Sequence, residues 1–195
     1  MRLATPRIFR RFAKSTRGLA AIEFAFIMPA LLVMFLSTFD AANGVAVYMK
    51  VRSASYVLAA ITNQFGTGGT YPTIATTDMT NITGAASKVL APYTGTPVVI
   101  LTQVKSTSNS SATVSWSYSL NGTALTGSYT SLPANFAQNS CGGTYPCYTI
   151  VATVSYTYTP MFGSFMTGPI TLSDTVLVTP RVTACVMYNG VPSAC

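Results

Sequence analysis

The 195 residues carry eleven Lys and Arg, four Asp and Glu and no histidine, for a formal net charge of +7. Six of the basic residues, Arg2, Arg7, Arg10, Arg11, Lys14 and Arg17, precede Gly18, while Lys50, Arg52, Lys88, Lys105 and Arg181 nearly balance Glu23, Asp40, Asp78 and Asp174. A nucleic-acid face needs basic charge spread over a folded surface, so no nucleic-acid partner is expected and the tail reads as a topology signal. The missing histidine removes Ser-His and Cys-His nucleophile pairs and the commonest metal ligand.

Residues 1–18 are the basic tail. Residues 19–39 then form an apolar run with one charge, Glu23. At about 1.5 Å per helical residue the run reaches roughly 30 Å, the thickness of a bilayer's hydrocarbon core. Basic residues stay on the cytoplasmic side, which predicts a single span in a bacterial inner membrane with the rest of the chain periplasmic or extracellular. Lys50 and Arg52 oppose this orientation, two charges against six. A cleaved secretory signal is the rival reading, with Ala41-Ala42 as a small-residue site. The run exceeds the usual apolar core of roughly 7–15 residues, however, and an anchor is expected. Pro29 is tolerable in a membrane helix, with a kink at most.

Beyond the run, Val47, Val51, Ala54, Leu58, Ile61 and Phe65 recur at spacings of three and four. That is one apolar stripe of a 3.6-period helix. Residues 40–65 are therefore expected to extend the same helix beyond the membrane, until Gly66, Gly68 and Gly69 end it.

The stretch Gly18-Leu19-Ala20-Ala21-Ile22-Glu23-Phe24-Ala25-Phe26-Ile27-Met28-Pro29-Ala30-Leu31-Leu32 resembles the start of TadE-like proteins, pilin-like components of the tight-adherence (Tad, or Flp) pilus machinery. The shared features are a basic tail ending in Gly18, then Glu23 and Phe24, then Pro29 before bulky apolar residues. In the related type IVb pilins a prepilin peptidase cuts after the glycine, so the resemblance implies a cut between Gly18 and Leu19. Those pilins usually carry Tyr after the Glu. Phe24 departs from that pattern, and an uncut anchor is the alternative. The resemblance also implies that Glu23 sets helix register when subunits assemble, pairing with the new amine of Leu19 on its own or a neighbouring helix. Without a cut, Arg17 becomes its partner, or the carboxylate reaches the membrane edge unaided.

From residue 66 the composition turns to Thr, Ser, Gly, Tyr and Val, the chemistry of strands and turns. Residues 66–73 read as a linker and 79–90 as a short helix closed by Ala91-Pro92. Residues 98–105 form an apolar strand. Ala112, Val114, Trp116, Tyr118 and Leu120 alternate with Thr and Ser as a half-buried strand, followed by the turn pair Asn121-Gly122. Ile150, Ala152, Val154, Tyr156 and Tyr158 alternate likewise. Val176, Val178, Val182, Ala184, Val186 and Tyr188 continue the pattern across Pro180, which belongs at an edge or bulge. Asp174 reads as a turn or strand-end residue. An antiparallel sheet with one apolar face must be covered, and the helical stripe supplies the cover. The expected fold is α+β, a long helix laid on an antiparallel sheet in residues 66–195. The resemblance implies the same pilin-like plan. Residues 161–166, Met-Phe-Gly-Ser-Phe-Met, are either a loop tucked on the core or an apolar contact for a partner or membrane.

Four cysteines in a translocated domain suggest disulfides, with three possible pairings. Turn residues lie between Cys141 and Cys147, and Asn189-Gly190 lies between Cys185 and Cys195, which favours these two local pairs over the crossed ones. Each would contribute on the order of 2–3 kcal/mol. A four-thiolate zinc site is the competing reading, at unusual spacing. There is no phosphate loop, dinucleotide fingerprint or evident carboxylate pair. The chain therefore reads as no enzyme and as needing no cofactor or metal. The function expected is that of a membrane-anchored, pilin-like structural component of Tad pilus assembly or secretion. Its partners would be the membrane, other pilin-like Tad proteins and a prepilin peptidase. The alternative is an anchored adhesin-type binding module outside any pilus.

Overall fold

A computed structural model describes residues 18–65, 73–133, 136–189 and 195. The basic tail before Gly18, most of the linker and the turn at Gly190 lie outside the described residues. Helix α1 (Leu19–Asn63) runs unbroken for 45 residues and passes through Pro29. Strand β1 (Thr73–Ile74) leads into α2 (Thr76–Leu90), then β2 (Val98–Ser106) and β3 (Ala112–Leu120). Helix α3 (Phe136–Cys141), β4 (Cys147–Tyr158), α4 (Ser164–Thr167), β5 (Ile170–Val178) and β6 (Met187–Tyr188) complete the order.

The sheet is antiparallel throughout, in the order β3-β2-β4-β5. Helices α1 and α2 pack together and form one layer over it, α1 across β4 and β5 and α2 beside β3 and β2. The expected α+β class is what is found. Val47, Val51, Ala54 and Leu58 of α1 join Met79, Ile82, Ala86 and Leu90 of α2 in one core. Val99, Leu101, Trp116, Ile150, Ala152 and Val154 supply its floor. In α2 the buried positions recur every three or four residues, Asp78 sits in the first turn and Lys88 in the last. Both charges suit the helix dipole. The helix begins three residues before the expected Met79.

The face that α1 buries also includes Ser55, Ala59 and Thr62, while Ile61 is exposed. An apolar count misplaces the centre of the stripe. At 100° per residue the buried set is centred near Ser55 and Leu58, and Ile61 falls to one side. The small residues let the helix approach the sheet closely. Ser55 Oγ donates to the carbonyl of Asp174 (3.2 Å), and Thr62 Oγ1 donates within its own helix to Leu58 (2.8 Å).

Strand β3 departs from simple alternation. Its register against β2 shifts between Gln103 and Val104, so Ser115 is the extra residue of a bulge. One inserted residue moves every later side chain to the other face. Trp116 and Tyr118 therefore face the helices, whereas Ala112 joins Val104 and Val151 in a second cluster on the opposite face. Asn121 takes a left-handed φ of 59° directly after the strand, as its turn pair predicts. Strand β5 starts earlier than expected, at Ile170, and ends before Pro180. Asp174 lies within it, opposite Val154. Residues 182–186 form no strand. The chain returns instead over the sheet, where Trp116 Nε1 donates to the carbonyl of Val186 (2.8 Å). Gln103, fully buried, accepts from the Val186 amide (2.9 Å) and donates to Cys185 Sγ (3.1 Å). Strand β6 then pairs parallel with β1. Cysteines 141 and 147 are joined, as are 185 and 195.

Leu58→Ala should destabilise the detergent-solubilised chain by about 2–5 kcal/mol, the usual range for a buried Leu truncation. Ile61→Ala should cost about 1 kcal/mol or less, as for a surface position. Urea unfolding followed by the single, buried Trp116 checks both. Equal losses would contradict the register of the helix on the sheet.

Candidate functional site at the helix junction

Residues 19–39 of α1 touch none of the sheet's core. Most of their large side chains are exposed, Phe26 at 81% and Phe35 at 70%. The segment is long and apolar enough to cross a membrane, and none of it is buried within the protein. Its two hydroxyl residues are satisfied internally: Ser37 Oγ donates to Val33 O and Thr38 Oγ1 to Met34 O, both at 2.8 Å. That is how a helix carries hydroxyls without water. Glu23 and Phe24 are exposed on this free segment, and Gly18 stands at its N-cap with no side-chain cap. Leu19 and Glu23 lie one helical turn apart, on one face. Arg17 falls outside the described residues.

The first buried residue of α1 is Asp40, only 7% exposed. Its carboxylate accepts three backbone N–H bonds from the loop after β4: Met161 (3.1 Å, Oδ1), Phe162 (2.9 Å, Oδ2) and Gly163 (2.6 Å, Oδ2). Hydrogen bonds to a charged acceptor are the strong ones, about 1.5–3 kcal/mol each. Tyr158, the last residue of β4, donates its hydroxyl to the carbonyl of the same Asp40 (3.3 Å). Burial, then the neighbouring carboxylate of Asp40 and then Tyr93, push the Tyr158 phenol above its ordinary pKa. Phe39 meets Phe162 edge-on at 6.0 Å. A groove of about 290 Å³ opens beside this clamp, lined by Ser37, Ala41 and Gly44 of the helix and by Pro160, Ile170 and Leu172.

Further along the helix, Lys50 Nζ donates to the carbonyl of Ala91 at the end of α2 and lies 5.7 Å from the Tyr93 ring. It is therefore engaged in holding the two helices together. Arg52 stacks on the Tyr56 ring at 5.8 Å, and Tyr56 raises its pKa. Among the described residues no three His, Cys, Asp or Glu side chains gather as a metal site.

Residues 18–59 match the TadE-like protein family. The match bears out the resemblance to TadE-like proteins that this stretch carries. It covers α1 almost to its end and leaves the sheet outside. No curated protein and no solved structure matches the chain. Within the matched stretch, the structure keeps Glu23 and Pro29 on the free segment and brings neither to the sheet. Asp40 was not singled out by sequence reasoning. Its signal was a lone acid at the outer end of an apolar run, 121–123 residues from the amides it holds.

Asp40→Ala should free the amides of residues 161–163. Their hydrogen exchange, read by mass spectrometry on the purified chain, should quicken by at least tenfold while β2 and β4 stay protected. Asp40→Asn keeps one acceptor and should fall between. Unchanged exchange in both variants would show that the loop is held by something else.

Proposed function

We propose that this chain is a membrane-anchored, pilin-like structural component of Tad pilus assembly or secretion, acting by contact and not by catalysis. The observation that supports the reading most is the division of one continuous helix. Its first half is apolar and free, its second half is the spine of a folded domain, and the TadE-like match runs through both. In this reading the N-terminal tail is cytoplasmic, the sheet lies on the outer side, and residues 19–39 span the membrane. The free segment is then available for lateral contacts with other helices in the bilayer.

Glu23 is the residue of that segment with a chemical reason to seek a partner. A carboxylate at the centre of an inserted helix costs about 2.5–3.5 kcal/mol, and less one turn from its end. Cleavage between Gly18 and Leu19 would create an amine one turn away. Pairing of that amine with Glu23 of a neighbouring helix would fix the axial register of two subunits. Prepilin peptidase and other pilin-like Tad proteins are the proposed partners.

Glu23→Gln and Glu23→Ala test the assembly role in cells. Both variants should remain membrane-inserted, and co-purification with pilin-like partners should fall several-fold. N-terminal sequencing of the extracted protein reports whether residue 19 is the first. Normal assembly by both variants would remove Glu23 from the mechanism and leave a plain anchor.

A further inference from the structure

The loop after β4 exposes large apolar side chains at the place where the free helix meets the domain. Met161 is 73% exposed and Phe162 38%, and Phe39 and Ile170 beside them are both more than 40% exposed. The side chains of Phe165 and Met166 lie outside the described residues. We propose that this rim, Phe39, Met161, Phe162 and Ile170, is seated in the outer interfacial layer of the bilayer that α1 crosses, so that the domain rests on lipid. This rests on the reading that residues 19–39 span the membrane.

Three observations favour lipid as the occupant. The rim is continuous with the free helix: Phe39 is the last residue of the apolar run and touches Phe162 directly. Along the chain, the segments that form the rim carry no exposed charge. Between Glu23 and Lys50 the only charged residue is Asp40, which is buried, and residues 157–173 contain none. The loop backbone is also prepared for a dry setting. Irregular backbone near hydrocarbon is tolerated only where its polar groups are satisfied by the protein, and Asp40 supplies acceptors to three consecutive amides. A loop exposed to water needs no such provision. Aromatic rings at this level suit the headgroup boundary, where an apolar body and nearby polar groups are both accommodated.

The test uses the full chain in vesicles of phosphatidylethanolamine and phosphatidylglycerol. Single cysteines, added to a chain whose own four are paired, carry an environment-sensitive fluorophore at Met161→Cys, Leu31→Cys and Thr123→Cys. Lipids brominated near the headgroup or deep in the chains, and aqueous iodide, serve as quenchers. The label at 161 should be quenched by the shallow lipid, the label at 31 by the deep lipid, and the label at 123 by iodide alone. Adding Asp40→Ala should abolish the shallow quenching at 161 and leave that at 31 intact. If 161 behaves like 123 while 31 stays lipid-quenched, the rim faces water and the proposal is overturned with the span preserved. If 161 is shielded from both lipid and iodide, a protein covers it, which also overturns the proposal. If 31 escapes lipid quenching, the span itself is wrong.

Discussion

The structure depends on the seam between the outer half of α1 and the strands β4 and β5. A single helix of 45 residues, about 68 Å long, has no stability of its own in water beyond what packing provides. Its outer half gains that packing because Val47, Val51, Ala54 and Leu58 lie over Ile150, Ala152 and Val154. The lengths agree. Gly44 to Asn63 is about 28 Å of helix, and Ile170 to Val178 about 26 Å of strand. These residues line the same groove at one end and the same pocket at the other. The strand runs out where the helix does, and beyond its other end the chain turns through the loop that Asp40 holds.

That geometry gives one rod two surroundings. Below Asp40 the helix shows apolar side chains in every direction, which suits lipid, and it meets the domain only at its outer end, where Phe39 packs on Phe162. Above Asp40 it is sided, with small and apolar residues inward and Tyr48, Met49 and Tyr56 outward. Asp40 marks the change. Its three bonds turn the start of the sheet's last hairpin toward the base of the domain, and Tyr158 adds a second tie to the same residue. A push or rotation applied to the free segment would therefore reach the sheet through a continuous helix with no linker to absorb it.

The features legible in the sequence were those that repeat locally. The apolar run, the stripe from Val47 to Leu58, the alternation in β4 and the turn residues inside both cysteine loops each depend on neighbours a few positions apart. What escaped depended on distant partners. The bulge at Ser115 changes the face of Ala112 and Val114, and no composition signal marks an inserted residue. Residues 182–186 alternate like a strand, yet they find no neighbour to pair with, because Gln103 and Trp116 hold the segment across the core. Asp174 looked like a turn residue because an acid is uncommon within strands, yet its position on the outermost strand leaves its side chain half in water. Asp40 was the most consequential omission, since its three partners lie 121–123 residues later in the chain.

The central claim, a continuous helix that changes surroundings at Asp40, is tested most directly by nitroxide labels placed singly along α1 in a bilayer. Collision with oxygen reports lipid, and collision with a water-soluble nickel complex reports solvent. At residues 31–39 every helix face should favour oxygen, with no 3.6-residue oscillation. From residue 47 onward, positions 47, 51, 54 and 58 should be shielded from both probes, while 48, 49 and 56 should collide with nickel. Nickel access on one face of residues 31–39, or access at all of 47, 51, 54 and 58, would contradict the account.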